Sequence, residues 1–136
     1  MSPQPRSQTS LEELNLITSK IIGCAIDVHK ELGPGLLESV YETCLAKEFW
    51  NRNIQYNRQV YLPVIFKEEA LDLNFRIDLL VGNEVVLELK AVDLILPIYK
   101  AQLLTYLKLS GKRLGLLINF NEVILKNGIH RMLNDY

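Results

Sequence analysis

The spacing of apolar residues changes along the chain, first helical, then strand-like, then helical again. Over residues 10–32 apolar side chains recur every three or four positions, and Ser10 with Glu13 forms the capping box typical of a helix start. The Gly-Pro-Gly sequence at residues 33–35 ends this helix, because glycine suits the position after a helix and proline cannot continue one. A second amphipathic helix is predicted over residues 36–52.

The middle of the chain alternates apolar and polar residues, which is typical of strands. A first strand is predicted over residues 54–66, where Pro63 would fit best at a sheet edge or a bulge. A polar connection over residues 67–70 leads to two further strands, over residues 71–81 and 84–92. These two strands are predicted to form a hairpin.

A helix separates these strands from the last part of the sheet. It begins at Pro97, where a missing N–H costs nothing, and ends at Gly111. Residues 113–120 are largely apolar, as in a strand buried on both faces, and residues 123–125 are expected to pair with 129–133 in a short β tail. The helix between strands predicts a crossover with parallel pairing, and hence an α/β fold with a mixed sheet.

Length and composition indicate one globular domain. The 136 residues are 49% hydrophobic and 23% charged, so we expect a flexible tail over residues 1–9 and a single domain over 10–136. A formal net charge of -1 argues against a protein that binds nucleic acid by covering phosphates with Lys and Arg. Cys24 and Cys44 lie in helical apolar patterns and are interpreted as small core residues.

The location follows from what the sequence lacks. No apolar run reaches the roughly 18 residues that a membrane span needs, and the N-terminus has no hydrophobic signal core. We therefore expect a cytoplasmic protein.

Three ionisable residues interrupt the apolar pattern of the predicted hairpin: Asp78, Glu88 and Lys90. An unpaired charge in a protein interior costs on the order of several kcal/mol, so such groups are normally paired, metal-bound or at a site. Glu88 and Lys90 project from one face of their strand. A two-residue loop would place Asp78 on the opposite face from Glu88, whereas a three-residue loop would place the two acids opposite each other. We predict an odd loop or a compensating bulge.

This cluster suits a metal that handles phosphate. Carboxylate oxygens from Asp78 and Glu88, with Glu38 as a third, are the ligands that Mg²⁺ or Mn²⁺ prefers. Lys90 could stabilise charge in the transition state or position the attacking water. Gln102 could orient that water or Lys90, with support from Tyr106, one helical turn further on the same face.

Simpler interpretations stay open on the residue pattern alone. Lys90 could form a structural ion pair with Glu88 or Asp78 on a solvated sheet face. Glu38 could be favoured only by the positive end of its helix. Glu42, one helical turn after Glu38, is expected at the solvated surface.

The other polar residues are given structural roles. His29 is expected on the polar side of the first helix and His130 in the tail, neither of them catalytic, and Trp50 is expected to contribute to packing. Seven basic residues could form a rim that contacts phosphate or could be scattered surface charge: Arg58, Arg76, Lys100, Lys108, Lys112, Arg113 and Arg131.

Five short segments taken together resemble the GxxExxY family, which is placed in the PD-(D/E)XK nuclease-like superfamily. They are LGPGLLESVYE at 32–42, DLLV at 78–81, ELKA at 88–91, QLLTY at 102–106 and GLLINF at 115–120. The resemblance extends over residues 11–133. It implies a restriction-endonuclease-like αβββαβ core, preceded here by an extra N-terminal helix and followed by the short β tail.

The resemblance also implies roles for individual residues. Glu38 corresponds to the acid of the first core helix, Asp78 to the metal ligand of the second strand, and Glu88 with Lys90 to the E-x-K pair. The backbone carbonyl of Leu89 corresponds to a further metal ligand.

The helix after the hairpin carries the rest of the motif. Gln102 and Tyr106 correspond to the Q-x-x-x-Y sequence of that helix. Tyr99 stands where relatives in the family often carry His, and Ile77 takes the place of the superfamily's proline. The role of position 99 is therefore open.

The function that the resemblance implies is Mg²⁺-dependent hydrolysis of phosphodiester bonds in nucleic acid, with Mn²⁺ as an alternative metal and DNA favoured over RNA. The competing hypothesis is a non-catalytic module that keeps the nuclease fold and either binds nucleic acid or assembles with other copies. A homodimer through the first helix or the β tail is compatible with both.

Overall fold

A mixed sheet with helices on both faces forms the body of the protein, and the computed structural model describes residues 7–135. Two helices come first, α1 (Leu11–Leu32) and α2 (Glu38–Asn51). The Ser10 hydroxyl accepts a hydrogen bond from the Glu13 N–H at 3.2 Å, which caps α1 as predicted. Helix α2 begins at Glu38, two residues later than expected, so Glu38 is its first residue.

Within the described residues seven strands follow α2, and five of them form the main sheet. These five are β1 (Tyr56–Tyr61), β4 (Arg76–Val81), β5 (Val85–Lys90), β6 (Leu114–Asn119) and β7 (Ile129–Leu133), in the spatial order β1-β4-β5-β6-β7. Strands β5 and β6 are parallel, and α3 (Pro97–Ser110) connects them. The mixed α/β fold of the restriction-endonuclease type is confirmed.

The two faces of the sheet have separate hydrophobic cores. Helices α1 and α2 cover one face, where Leu79, Leu87 and Leu116 pack. Helix α3 covers the other face, where Leu80 and Val86 pack. Every residue of β6 is buried, as its apolar run predicted.

The prediction of a single first strand over residues 54–66 is wrong. Strand β1 ends at Tyr61, and Pro63 separates it from β2 (Val64–Phe66), which pairs with β3 (Glu69–Leu71) as a separate hairpin. Both residues of the turn, Lys67 and Glu68, have positive φ, as two-residue hairpin turns often require. The expected polar connection over 67–70 is therefore half strand, and the main-sheet strand begins at Arg76.

The expected pairing of residues 123–125 with β7 is also wrong. That region ends in a 3₁₀ helix (Leu125–Gly128), and β7 pairs antiparallel with β6 instead. His29 is buried, and its Nε2 lies 2.7 Å from the Glu122 carbonyl oxygen, so its predicted place on the polar side of α1 is wrong too.

The start of the described chain is attached to the hairpin tip. The hydroxyls of Ser7 and Thr9 donate to the Glu84 carboxylate at 2.9 and 2.7 Å. Residues 1–6 of the expected tail lie outside the described residues. No helix within residues 7–135 has the length and apolarity that crossing a membrane requires.

Candidate active site

The register of the β4–β5 hairpin brings two carboxylates together. Val81 pairs with Val85 and Leu79 with Leu87, so the loop consists of residues 82–84. The predicted odd loop is confirmed. Continuing the same register places Asp78 opposite Glu88.

Regular pairing stops at this level, and each acid binds the backbone of the opposite strand instead. The Asp78 N–H donates to Glu88 Oε1 at 3.2 Å, and the Leu89 N–H donates to Asp78 Oδ2 at 2.9 Å. Each carboxylate thus accepts a main-chain hydrogen bond from the opposite strand. Both acids are fixed in orientation where the two strands meet.

Burial makes this carboxylate pair unfavourable when both groups are charged. The side chain of Glu88 is only 7% exposed, and burial together with the neighbouring Asp78 carboxylate raises the pKa of Glu88 to about 9. Burial also raises the pKa of Asp78, against the opposing effects of the Leu89 N–H and Lys90. Without a cation between them, one proton is therefore retained at neutral pH. A divalent cation held by the two carboxylates would take the place of that proton.

Glu38 approaches the same place from α2. Partial burial raises the pKa of the Glu38 carboxyl, while Lys90 lowers it and Asp78 and Glu42 raise it. Glu38 and Asp78 line the same cleft, so the two acids face a common space. The structure thus brings Glu38, Asp78, Glu88 and Lys90 to one region.

Tyr41 holds the loop that leads to Glu38. Its hydroxyl donates to the Gly33 carbonyl at 2.6 Å and accepts from the Leu36 N–H at 3.2 Å. Its ring stacks on Phe120 with centroids 4.5 Å apart. The tyrosine of the G-x-x-E-x-x-Y sequence therefore fixes the turn from which the helix and its acid begin.

Helix α3 supplies a second set of side chains over β5. Lys90 Nζ lies 4.7 Å from the centroid of the Tyr99 ring, a cation–π distance. Gln102 Nε2 donates to the Tyr106 hydroxyl at 3.0 Å. Burial and the Glu88 carboxylate raise the pKa of Tyr106, which places that phenol near the acid pair.

The sequence analysis did not identify two residues that line this site, Glu42 and Gln59. Glu42 is only 9% exposed, so its expected solvated position is wrong. Gln59 Nε2 donates to Glu42 Oε1 at 2.8 Å, and Arg58 donates to Glu42 Oε2 through Nε at 3.1 Å and Nη2 at 3.0 Å. The position of Glu42, four residues after Glu38 on the same helix face, was a signal that could have indicated its role.

An open cleft of about 410 Å³ runs between α2 and the strands. Five of the six residues that line it have polar side chains. Six residues line it: Leu37, Glu38, Ser39, Glu42, Gln59 and Asp78.

The oxygen atoms at this site meet only some of the requirements of a hard metal cation. Within residues 7–135 no three Asp, Glu, His or Cys side chains form a group that could hold a metal, so Glu38 does not complete a three-acid cluster with Asp78 and Glu88. The Leu89 N–H points toward β4, and the carbonyl of a strand residue lies on the same side as its N–H. Two carboxylates and this carbonyl are the oxygen ligands available to Mg²⁺ or Mn²⁺.

Three arginines of the predicted basic rim already have partners within the protein. Arg58 binds Glu42, Arg76 lies 4.8 Å from the Tyr61 ring centroid, and Arg113 pairs with Asp135 at 2.8 Å. Trp50 is 68% exposed, so its predicted packing role is wrong.

One of three comparisons with known proteins gave a match. A protein-family model described as the PD-(D/E)XK nuclease superfamily matches residues 15–132, which include α2, the β4–β5 hairpin and α3. Neither the curated proteins nor the solved structures gave a match.

Proposed function

The chain belongs to the PD-(D/E)XK nuclease superfamily, and from this premise we propose that it hydrolyses phosphodiester bonds of nucleic acid with a divalent metal. The observation that carries the proposal is the pair of hydrogen bonds by which Glu88 binds the Asp78 N–H and Asp78 binds the Leu89 N–H, with Lys90 two residues after Glu88 on the same strand. A buried pair of acids costs stability in the absence of a cation, which is expected of a binding site and not of a structural ion pair.

Asp78, Glu88 and the Leu89 carbonyl would hold Mg²⁺ or Mn²⁺. When bound, the metal would supply Lewis acidity and a water of lowered pKa as the nucleophile. We propose that Glu38 would orient the attacking water and would not be a metal ligand, since it lines the cleft beside Asp78 but completes no three-acid group among the described residues.

Lys90 would bind a non-bridging phosphate oxygen and offset the charge that develops in the transition state. The Tyr99 ring limits the positions of its ammonium. Gln102, held by Tyr106, would orient the attacking water or Lys90 through its amide.

We further assign the chain to the GxxExxY family within the superfamily. Gly35, Glu38 and Tyr41 carry the spacing of that motif. The hydrogen bonds of the Tyr41 hydroxyl to Gly33 and Leu36 support the assignment, because they fix the loop that leads to Glu38.

DNA is the proposed substrate, and a homodimer and a cytoplasmic location stay predictions. The competing function is a non-catalytic module that binds nucleic acid or assembles with other copies. The lack of a three-acid metal group among the described residues is the observation that favours it.

A cleavage panel tests the proposal. Single-stranded, duplex and branched DNA and RNA would be incubated with the full chain in Mg²⁺, in Mn²⁺ and in EDTA. We expect metal-dependent cleavage that falls at least about 100-fold in Lys90→Ala and Asp78→Asn. Lys126→Ala removes the same charge from an exposed position in the 3₁₀ helix and is expected to keep full activity. Equal activity in all variants would contradict the mechanism, and no cleavage with no metal binding would favour the module.

A further inference from the structure

Strands β1 and β4 pair regularly except at one level. Arg58 pairs with Leu79 and Val60 with Ile77, but Gln59 and Asp78, which lie between these pairs, are not partners in the ladder. Gln59 has φ of 51°, in the left-handed region that a glutamine rarely adopts. The irregularity therefore lies beside the proposed metal ligand.

Both strands change the face that their side chains present at this level. Tyr56 packs in the core under α1 and α2, whereas Val60, an even number of residues later, packs in the core under α3. Leu79 packs in the core under α1 and α2, whereas Ile77, two residues earlier in β4, packs in the core under α3. A regular strand would keep residues of equal parity on one face. Gln59 and Asp78 thus lie where the strands rotate, and both line the cleft.

A chain of hydrogen bonds holds Gln59 in this conformation. Arg58 donates twice to Glu42 Oε2, and Glu42 Oε1 accepts from Gln59 Nε2 at 2.8 Å. Gln59 and Asp78 also line the same cleft, and the Gln59 side chain lowers the pKa of the Asp78 carboxyl, as a hydrogen-bond donor beside a carboxylate does. An amide nitrogen has two hydrogens, so one Gln59 side chain can serve both carboxylates.

Left-handed backbone at a non-glycine residue persists only where the surroundings hold it, and it is concentrated at functional sites. Asp78 Oδ2 accepts the Leu89 N–H, and Gln59 lines the same cleft as the Asp78 carboxylate. Two donors from different strands fix the rotation of a carboxylate, which one donor does not. Partners that orient metal ligands in this way commonly change metal affinity about 10- to 100-fold when removed.

We propose that Gln59 is a positioning residue that orients the Asp78 carboxylate for metal binding, and that Glu42, itself fixed by Arg58, holds Gln59 in place. The inference rests on the proposed metal-dependent function and assigns a further residue to that same site. A purely structural role for Gln59 in shaping β1 is the alternative that the test must separate.

Replacement of Gln59 by glycine separates stability from positioning. Glycine adopts positive φ without strain, so Gln59→Gly removes the amide and leaves the backbone free to keep its course. We expect a melting temperature equal to or above that of the wild type, together with Mn²⁺ affinity about 10- to 100-fold lower by calorimetry. Gln59→Leu is expected to weaken Mn²⁺ binding to a similar extent.

Gln55→Leu is the matched control, since Gln55 is an exposed glutamine just before β1 that lines a different cleft. Mn²⁺ affinity in Gln59→Gly and Gln59→Leu equal to that of this control would overturn the proposal. In the cleavage assay we expect kcat to fall in the Gln59 variants while KM for DNA stays within about twofold, because the amide acts on Asp78 and not on substrate.

A metal-free measurement keeps this proposal distinct from the proposed function. The Leu89 N–H is bonded to Asp78 Oδ2, so loss of the Gln59 amide is expected to speed hydrogen exchange at Leu89 by about tenfold in EDTA. Unchanged exchange at Leu89 would overturn the positioning role even if the wild type is an active nuclease. Faster exchange in a protein that binds no Mn²⁺ would support the orientation of Asp78 by Gln59 and remove the metal-dependent function.

Discussion

The ammonium of Lys90 lies over the ring of Tyr99, with Nζ 4.7 Å from the ring centroid. The two residues come from different elements, β5 and α3, and the contact directs the lysine toward α3. The sequence alone assigned no role to position 99. The structure gives it one contact with a site residue, which can be tested.

Replacement of Tyr99 by leucine is expected to lower the cleavage rate about 2- to 30-fold, because a cation–π contact of about 0.5–2 kcal/mol would be lost. Tyr99→Phe keeps the aromatic ring and is expected to remain within about twofold of the wild type. The measurement is the single-turnover rate on the best substrate of the panel. A leucine variant as active as the phenylalanine variant would contradict the assignment.

Stability of the metal-free protein is expected to depend on pH through Glu88. Its folded pKa of about 9 lies above the ordinary value of 4.5, so the folded state holds a proton that the unfolded state releases. Stability is therefore highest below the ordinary value and falls as pH rises toward 9, by up to about 1.4 kcal/mol per pH unit.

Glu88→Gln removes this titration. In EDTA we expect the variant to be more stable than the wild type at pH 8 and similar to it near pH 5. Urea unfolding at three pH values between 5 and 8 provides the measurement. Parallel pH profiles for the two proteins would be evidence against a shared proton in the acid pair, and Glu12→Gln, at an exposed position in the first turn of α1, is the control.

Metal binding should reverse that pH dependence. A cation needs both carboxylates deprotonated, so we expect Mn²⁺ affinity to rise up to about tenfold per pH unit between pH 6 and 8. The melting temperature should increase with Mn²⁺ concentration and should do so more at pH 8. Asp78→Asn should abolish both effects. Affinity that is independent of pH would place the metal elsewhere.

Removal of the Tyr41 hydroxyl should affect both stability and activity. Tyr41→Phe keeps the stacking on Phe120 but loses the bonds to the Gly33 carbonyl and the Leu36 N–H. We expect a loss of about 1–3 kcal/mol in the free energy of unfolding and a lower kcat, since the loop before Glu38 is no longer fixed. Tyr61→Phe, at an exposed tyrosine, is the control for both measurements. A variant with wild-type kcat would mean that this loop does not place the acid.

Much of the fold could be predicted from periodicity. Helices α1 and α3 bury regular stripes, and β6 is buried throughout, so their apolar patterns indicated them clearly. The meeting of Asp78 and Glu88 was predictable as well, because the parity of a hairpin loop decides which side chains share a face.

Other parts of the site gave no signal. A period of two cannot reveal that β1 rotates at Gln59, because the rotation depends on a backbone conformation held by Glu42 from another element. The turn at Lys67 and Glu68 lacks the glycine or asparagine that normally indicates a two-residue hairpin. Periodicity also does not tell which flank of a helix is covered, so the positions of His29 and Trp50 were misjudged.

The three-residue loop of the β4–β5 hairpin also affects how the chain folds. β4 and β5 are the two neighbouring strands of the main sheet that are joined by the shortest loop. Their pairing can therefore form before the crossover through α3 is complete. A slip of one residue would turn Glu88 and Lys90 into the apolar core under α1 and α2, where unpaired charges are strongly disfavoured. The charged residues proposed for hydrolysis thus also discourage the chain from misfolding through an incorrect hairpin.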